Sequence, residues 1–184
     1  MHDPYASGVL VKDVHARLVA DMSSVAMDAN IRPHWLWTSM ADAGMTESEI
    51  DWVRRFKRHE NAGACLIGKK PSILPEERMS AIAGALSRNF IRARVMTVLN
   101  FLDWLEDGEV PEMTCVLIPN FFIEKKITGG IAQWKTSMLQ DGLMQRHAKG
   151  LITVVYVQDM VKLGAEYGSS MQEHLVKLYD KIGI

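Results

Sequence analysis

Six histidines, at positions 2, 15, 34, 59, 147 and 174, and two cysteines, Cys65 and Cys115, are the side chains best suited to metal ligation or nucleophilic attack. None of the histidines stands at metal-ligand spacing from another His, a Cys or a carboxylate, so no metal is expected. Both cysteines fall in apolar runs, where a thiol behaves as a small inert hydrophobe. No Gly-x-Ser-x-Gly elbow offers a hydrolase serine. The carboxylates at Glu76-Glu77 and Asp103/Glu106 suit helix ends and exposed faces. No catalytic residue is assigned, and the residues call for no cofactor.

Phosphate chemistry has more candidates. Gly63-Ala-Cys-Leu-Ile-Gly68-Lys69 satisfies the first seven positions of a phosphate-loop pattern. Lys70, however, stands where Ser or Thr would ligate Mg²⁺, and the four intervening residues read as strand rather than loop. The turn that follows, Gly68 to Pro75, offers Lys69, Lys70 and Ser72 as phosphate-binding groups, against prolines that lack an N–H donor. The most charged segment is Asp51-Trp52-Val53-Arg54-Arg55-Phe56-Lys57-Arg58-His59. Interleaved cations and rings of this kind hold single-stranded nucleic acid, with Arg54, Arg55, Lys57 and Arg58 on phosphates. On a helix the same cations also make an ordinary solvated face. Trp35 and Trp37, with Phe121 and Phe122, are candidate partner-interface aromatics, although the tryptophans better suit an internal clamp onto the α/β part and the phenylalanines equally suit the core.

The elements that would position these groups change character near residue 60. Before it, Val11, Val14, Leu18, Val19, Met22 and Val25 recur at helical spacing and predict one amphipathic helix. Asn30 to Pro33 breaks it, and Thr46-Glu47-Ser48-Glu49 spells a capping box that opens another helix. After it, apolar runs at 62–68, 94–98, 113–118 and 151–157 alternate with helical stretches at 76–89, 101–106, 131–148, 159–166 and 170–182. Gly150 ends the longest helix where glycine is favoured. Runs without polar alternation are strands covered on both faces, and strands alternating with helices predict parallel pairing. The expected fold is α/β: a three-layer parallel sheet of about four strands over 61–184, with a helical N-terminal region over 1–60.

Composition sets the outer limits. With 184 residues, 21 Lys+Arg and 22 Asp+Glu, the formal net charge is −1, and the pI is near 6.6. That balance excludes a strongly basic nucleic-acid binder and an acidic disordered tail. Two cysteines do not make a disulfide scaffold, so a reducing, cytoplasmic setting is expected. No apolar run approaches the roughly 18 residues that span a bilayer, and Met-His-Asp-Pro opens no signal-peptide pattern, so no membrane association is expected.

In this order the segments resemble the DnaC/IstB-like helicase-loader branch of the AAA+ ATPases. Asn30-Ile31-Arg32-Pro33-His34-Trp35 looks like that family's lead-in, and Leu66-Ile67-Gly68 like the entry to its Walker A loop. Ala81 to Leu86 resembles the helix after that loop. Arg94 to Val98 with Phe101 to Leu105 resembles the second strand and the short helix behind it. Val116-Leu117-Ile118 falls on the Walker B strand, Arg146 to Leu151 on the long helix's ending, and Ile152 to Val157 on the sensor-1 strand. The resemblance implies an AAA+ fold, a role in DNA replication, recombination or a phage or plasmid process, and a helicase or AAA+ subunit as protein partner. The fold's side-by-side stacking also leaves an oligomer open. The family's working residues are not matched: 72–75 hold no Lys-Ser/Thr pair, Pro119-Asn120 replace the acid pair, and sensor 1 falls near Gln158 or Asp159. The arginine finger falls near His174, and the α/β part is expected to lack a fifth strand and a lid. The reading is a non-hydrolysing AAA+-like adaptor rather than an enzyme. Its alternatives are a single-stranded nucleic-acid module using a basic helix over 54–58, and an enzyme of unrelated chemistry on the same scaffold.

Overall fold

The computed structural model describes residues 3–124 and 132–184. His2 and the expected start of the long helix at Ile131 lie outside them. Helices α1 (Lys12–Ala20), α2 (Met22–Ala29) and α3 (Glu47–Arg54) precede the first strand. Then come β1 (Gly63–Ile67), α4 (Pro75–Arg88), β2 (Ala93–Val95), α5 (Val98–Glu106) and β3 (Cys115–Phe122). The chain continues with α6 (Gln133–Ala148), β4 (Ile152–Val157), α7 (Met160–Tyr167), α8 (Ser169–Leu178) and β5 (Tyr179–Gly183).

All five strands are parallel, in the order β2-β3-β4-β1-β5. The pleat sends alternate side chains to two separate cores. Ala64, Leu66, Leu117, Val154, Tyr156 and Ile182 face α4 and the N-terminal elements. Cys65, Val116, Ile118, Val155 and Val157 face the layer that holds α5, α6 and α8. Every residue of β4 is buried, as expected of a central strand covered on both sides.

Four local expectations change. The helix predicted over residues 11 to 25 is two helices broken at Asp21, which lets Ala26 and Ala29 turn into the core. The second strand is only Ala93–Val95, because Thr97 caps a helix that starts at Val98 by accepting from Asn100 N–H. The third strand runs on past Pro119 to Phe122, with a register shift after Ile118 that accommodates the proline's missing N–H. The last predicted helix stops at Leu178, and Tyr179–Gly183 forms the fifth strand, beside β1. The capping box is as read: Glu49 N–H donates to Thr46 Oγ1 (3.3 Å) and Thr46 N–H to Glu49 Oε2 (2.7 Å).

Candidate functional site

The carboxyl edge of the sheet, where open α/β folds bind ligands, collects residues from four connections. After β1, Gly68 lies close to Ile184; a Cβ there would meet the Ile184 carbonyl oxygen at 2.3 Å. Tyr156 O–H, from the end of β4, donates to the Gly68 carbonyl (2.5 Å), and Gln158 Nε2 donates to the Lys69 carbonyl (3.3 Å). Burial raises the Tyr156 phenol pKa, and the Glu76 charge adds to it. Lys69 itself pairs with Asp159 (3.0 Å), and that contact, with the Lys162 and Val161 N–H groups, holds the Asp159 carboxyl below its usual range. Asp159 is also the cap of α7.

Behind the turn, a buried network replaces solvent. Arg78, in the first turns of α4, pairs with Glu49 at 2.5 Å, and its Nη2 donates to Ser72 Oγ (3.4 Å). Glu49 Oε2 also accepts from Thr46 N–H, so the capping box of α3 and Arg78 of α4 share one carboxylate, and Arg78 carries the link on to Ser72 in the turn after β1. Glu76 and Glu77 fill the first turn of α4. There they meet the positive end of the helix dipole, the same feature that elsewhere favours phosphate. At the end of β3, Asn120 Oδ1 accepts from Val98 N–H (2.9 Å) and so supports the start of α5. The edge thus brings Lys69 and Ser72 together with Asp159, Tyr156 and Arg78; Lys70 is exposed beside them.

The basic segment is not one helix over 54–58. α3 stops at Arg54, and Phe56–Arg58 is a 3-10 turn. Its rings point inward: Trp52 (2 % exposed) stacks on His59 at 4.7 Å, and its Nε1–H donates to Asp180 (3.0 Å); Phe56 is 6 % exposed. They cannot carry stacked bases, although Arg54, Arg55, Lys57 and Arg58 are all exposed. Arg54 pairs with Asp51 (3.1 Å).

Phe121 and Phe122 are also unavailable to a partner, which corrects their reading as interface aromatics. Both are buried, with Tyr167 edge-on to each. Trp35 and Trp37 are half-buried; Trp35 packs on the core, with its backbone against α4. Burial pushes the Cys65 and Cys115 thiols up to about 12, so neither is a nucleophile at neutral pH. Among the described residues no group of three or more His, Cys, Asp or Glu is placed to hold a metal, and no helix is long and apolar enough to cross a membrane. Sequence reasoning missed Glu49, Arg78 and Tyr156 at this edge. Only the Thr46–Glu49 spelling signalled any of them, and as a cap.

This sheet order with its two covering layers defines a P-loop-like α/β fold, and solved structures place it more narrowly. The chain is similar to the crystal structure of the DnaC helicase loader (TM-score 0.58, 11 % identity, covering 74 % of this chain and 86 % of that one). It is similar to the crystal structure of DnaI (TM-score 0.60, 16 % identity, 84 % and 94 % covered). A third similar structure is described as a putative primosome component from Streptococcus pyogenes serotype M3 (TM-score 0.51, 12 % identity, 79 % and 78 % covered). The chain therefore shares its fold with these structures. No protein-family model matches the chain, and no curated protein sequence matches it.

Proposed function

We propose that this protein is a non-hydrolysing member of the helicase-loader fold, an adaptor that works through protein contacts in DNA replication. Its partner would be a replicative helicase or another AAA+ subunit. The observation that carries the reading is the state of the strand edge. Lys69 is held by Asp159, Ser72 by Arg78, and Asn120 by a backbone N–H. The N-terminus of α4 already faces two carboxylates, Glu76 and Glu77. An incoming triphosphate would have to displace these contacts and meet like charge, which costs affinity.

Thermal melting with Mg²⁺ and ATP or ADP tests the reading. Ligand held at about a hundred times its Kd would stabilise the fold by about 2.7 kcal/mol; the expected shift is nil at millimolar nucleotide. A Mg²⁺-dependent shift, with turnover that disappears in Lys69→Ala, would overturn it.

One observation favours a second reading, a single-stranded nucleic-acid module. Lys57 and Arg58 are exposed, and neither has a carboxylate within ion-pair distance among the described residues. It predicts binding that weakens steeply with salt; the buried rings of Trp52 and Phe56 weigh against it.

A further inference from the structure

At the far end of α4 from the phosphate-loop position, the helix, α3 and the 3-10 turn enclose a groove of about 700 Å³. α4 is 14 residues long, so about 20 Å of helix separates the two places. Met40, Ile50, Val53, Phe56 and Leu86 form an apolar floor. Arg54, Lys57, Arg58 and Arg88 stand around it, against one carboxylate, Glu47. Of these cations only Arg54 has a carboxylate partner among the described residues, the exposed Asp51. Arg88 is half-buried; its Nη1 donates to the Thr38 carbonyl (2.9 Å), and among the described residues no carboxylate pairs with it.

An apolar cleft with unneutralised cations fits a ligand that is apolar on one side and anionic on the other. Single-stranded nucleic acid meets the charge requirement but needs exposed ring faces for its bases, and the rings here are turned inward. A polypeptide meets both requirements, with aliphatic side chains in the cleft and Asp or Glu at the rim.

We propose that the groove between α3 and α4 is a docking site for an acidic amphipathic segment of a protein partner, its carboxylates paired with Lys57, Arg58 and Arg88. The proposal rests on the adaptor reading for its biological sense, yet it is tested without nucleotide. Random-peptide phage display on the full chain should enrich acidic peptides with two or more bulky aliphatic residues. The synthesised winner should bind at least tenfold more weakly to the Lys57→Glu/Arg58→Glu variant, which should melt with the parent because both side chains are exposed. Raising the salt from 50 to about 300 mM should also weaken binding. Enriched peptides without acidic bias, no enrichment at all, or equal affinity for the variant would each overturn the proposal. So would a dT20 oligonucleotide that binds the parent, fails on the variant and displaces the peptide, because the charges would then belong to nucleic acid. ATP turnover would remove the adaptor reading and leave the groove result standing, so the two failures are distinguishable.

Discussion

At the scale of single residues, Arg146 shows how a charge survives burial with no ion-pair partner among the described residues. It is fully buried. Its guanidinium donates to the carbonyls of Pro111, Met113 (3.0 Å) and Ile152 (2.7 Å) and to Thr153 Oγ1 (2.9 Å). Burial pulls its pKa down to about 10, so it remains charged at neutral pH. The side chain ties the segment before β3 to the start of β4 and the end of α6. Arg146→Met would keep the aliphatic bulk and remove all four of these hydrogen bonds, three of them buried. At about 1–3 kcal/mol for each such buried group, urea unfolding should show a loss of about 3 kcal/mol or more; a loss under about 1 kcal/mol would refute this role. The sequence made Arg146 legible only as part of a helix ending. Two of its acceptors, Pro111 and Met113, lie more than thirty positions upstream, which no local pattern encodes. The Lys69–Asp159 pair was hidden for the same reason, whereas Cys65 and Cys115 could be read as inert thiols from their apolar neighbours alone.

At the scale of elements, local signals worked where one segment settles its own structure. The Thr46–Glu49 capping box and Gly150 at φ +68° after α6 are of that kind. They failed where a neighbour decides. Residues 170–182 carry a continuous helical pattern with no Gly or Pro to end it at Leu178; pairing of Tyr179–Gly183 with β1 is what converts the tail to strand. The basic segment was misread likewise, because burial of Trp52 and Phe56 closes α3 early. Close approach of elements also explains a glycine inside a helix. A Cβ on Gly84 of α4 would stand 2.2 Å from the Trp35 carbonyl oxygen, so only a bare backbone admits the Pro33–Leu36 turn that packs there. Gly84→Ala should cost about 1–3 kcal/mol through this overpacking, despite alanine's better helix propensity. Chemical denaturation would measure it, and a neutral or stabilising result would mean the turn shifts freely.

At the scale of the whole molecule, the near-neutral charge of −1 conceals acids and bases in different settings. Cations gather beside the α3–α4 groove, while Glu76 and Glu77 face the opposite end of α4. The interior sets an alkaline limit. Cys65 and Cys115 are pushed from 9.0 to about 12 by burial, and burial also raises the phenols of Tyr167 and Tyr179. For each thiol the ionised form is disfavoured in the folded state, so its stabilising effect is complete below the unfolded pKa and is lost as pH rises from about 9 toward 12. Each thiol steepens the decline by about 1.4 kcal/mol per pH unit in that window. The melting temperature should be flat from pH 7 to 8 and fall above 9, with a shallower fall in Cys65→Ala/Cys115→Ala. An unchanged slope in that variant would show that the thiols do not set the limit.

The strand order also governs how this sheet is made. Gly63 of β1 lies opposite Thr153 on one side and Tyr179 on the other. The strand nearest the start of the polypeptide thus acquires its ladder partners last. During synthesis, residues 63 to 67 leave the ribosome as an apolar segment with both edges bare, and they stay so until β4 and then β5 arrive. Pairings this distant in sequence form slowly and leave strand edges open to misassociation. In the meantime α3 and α4 are the segments at hand to cover them.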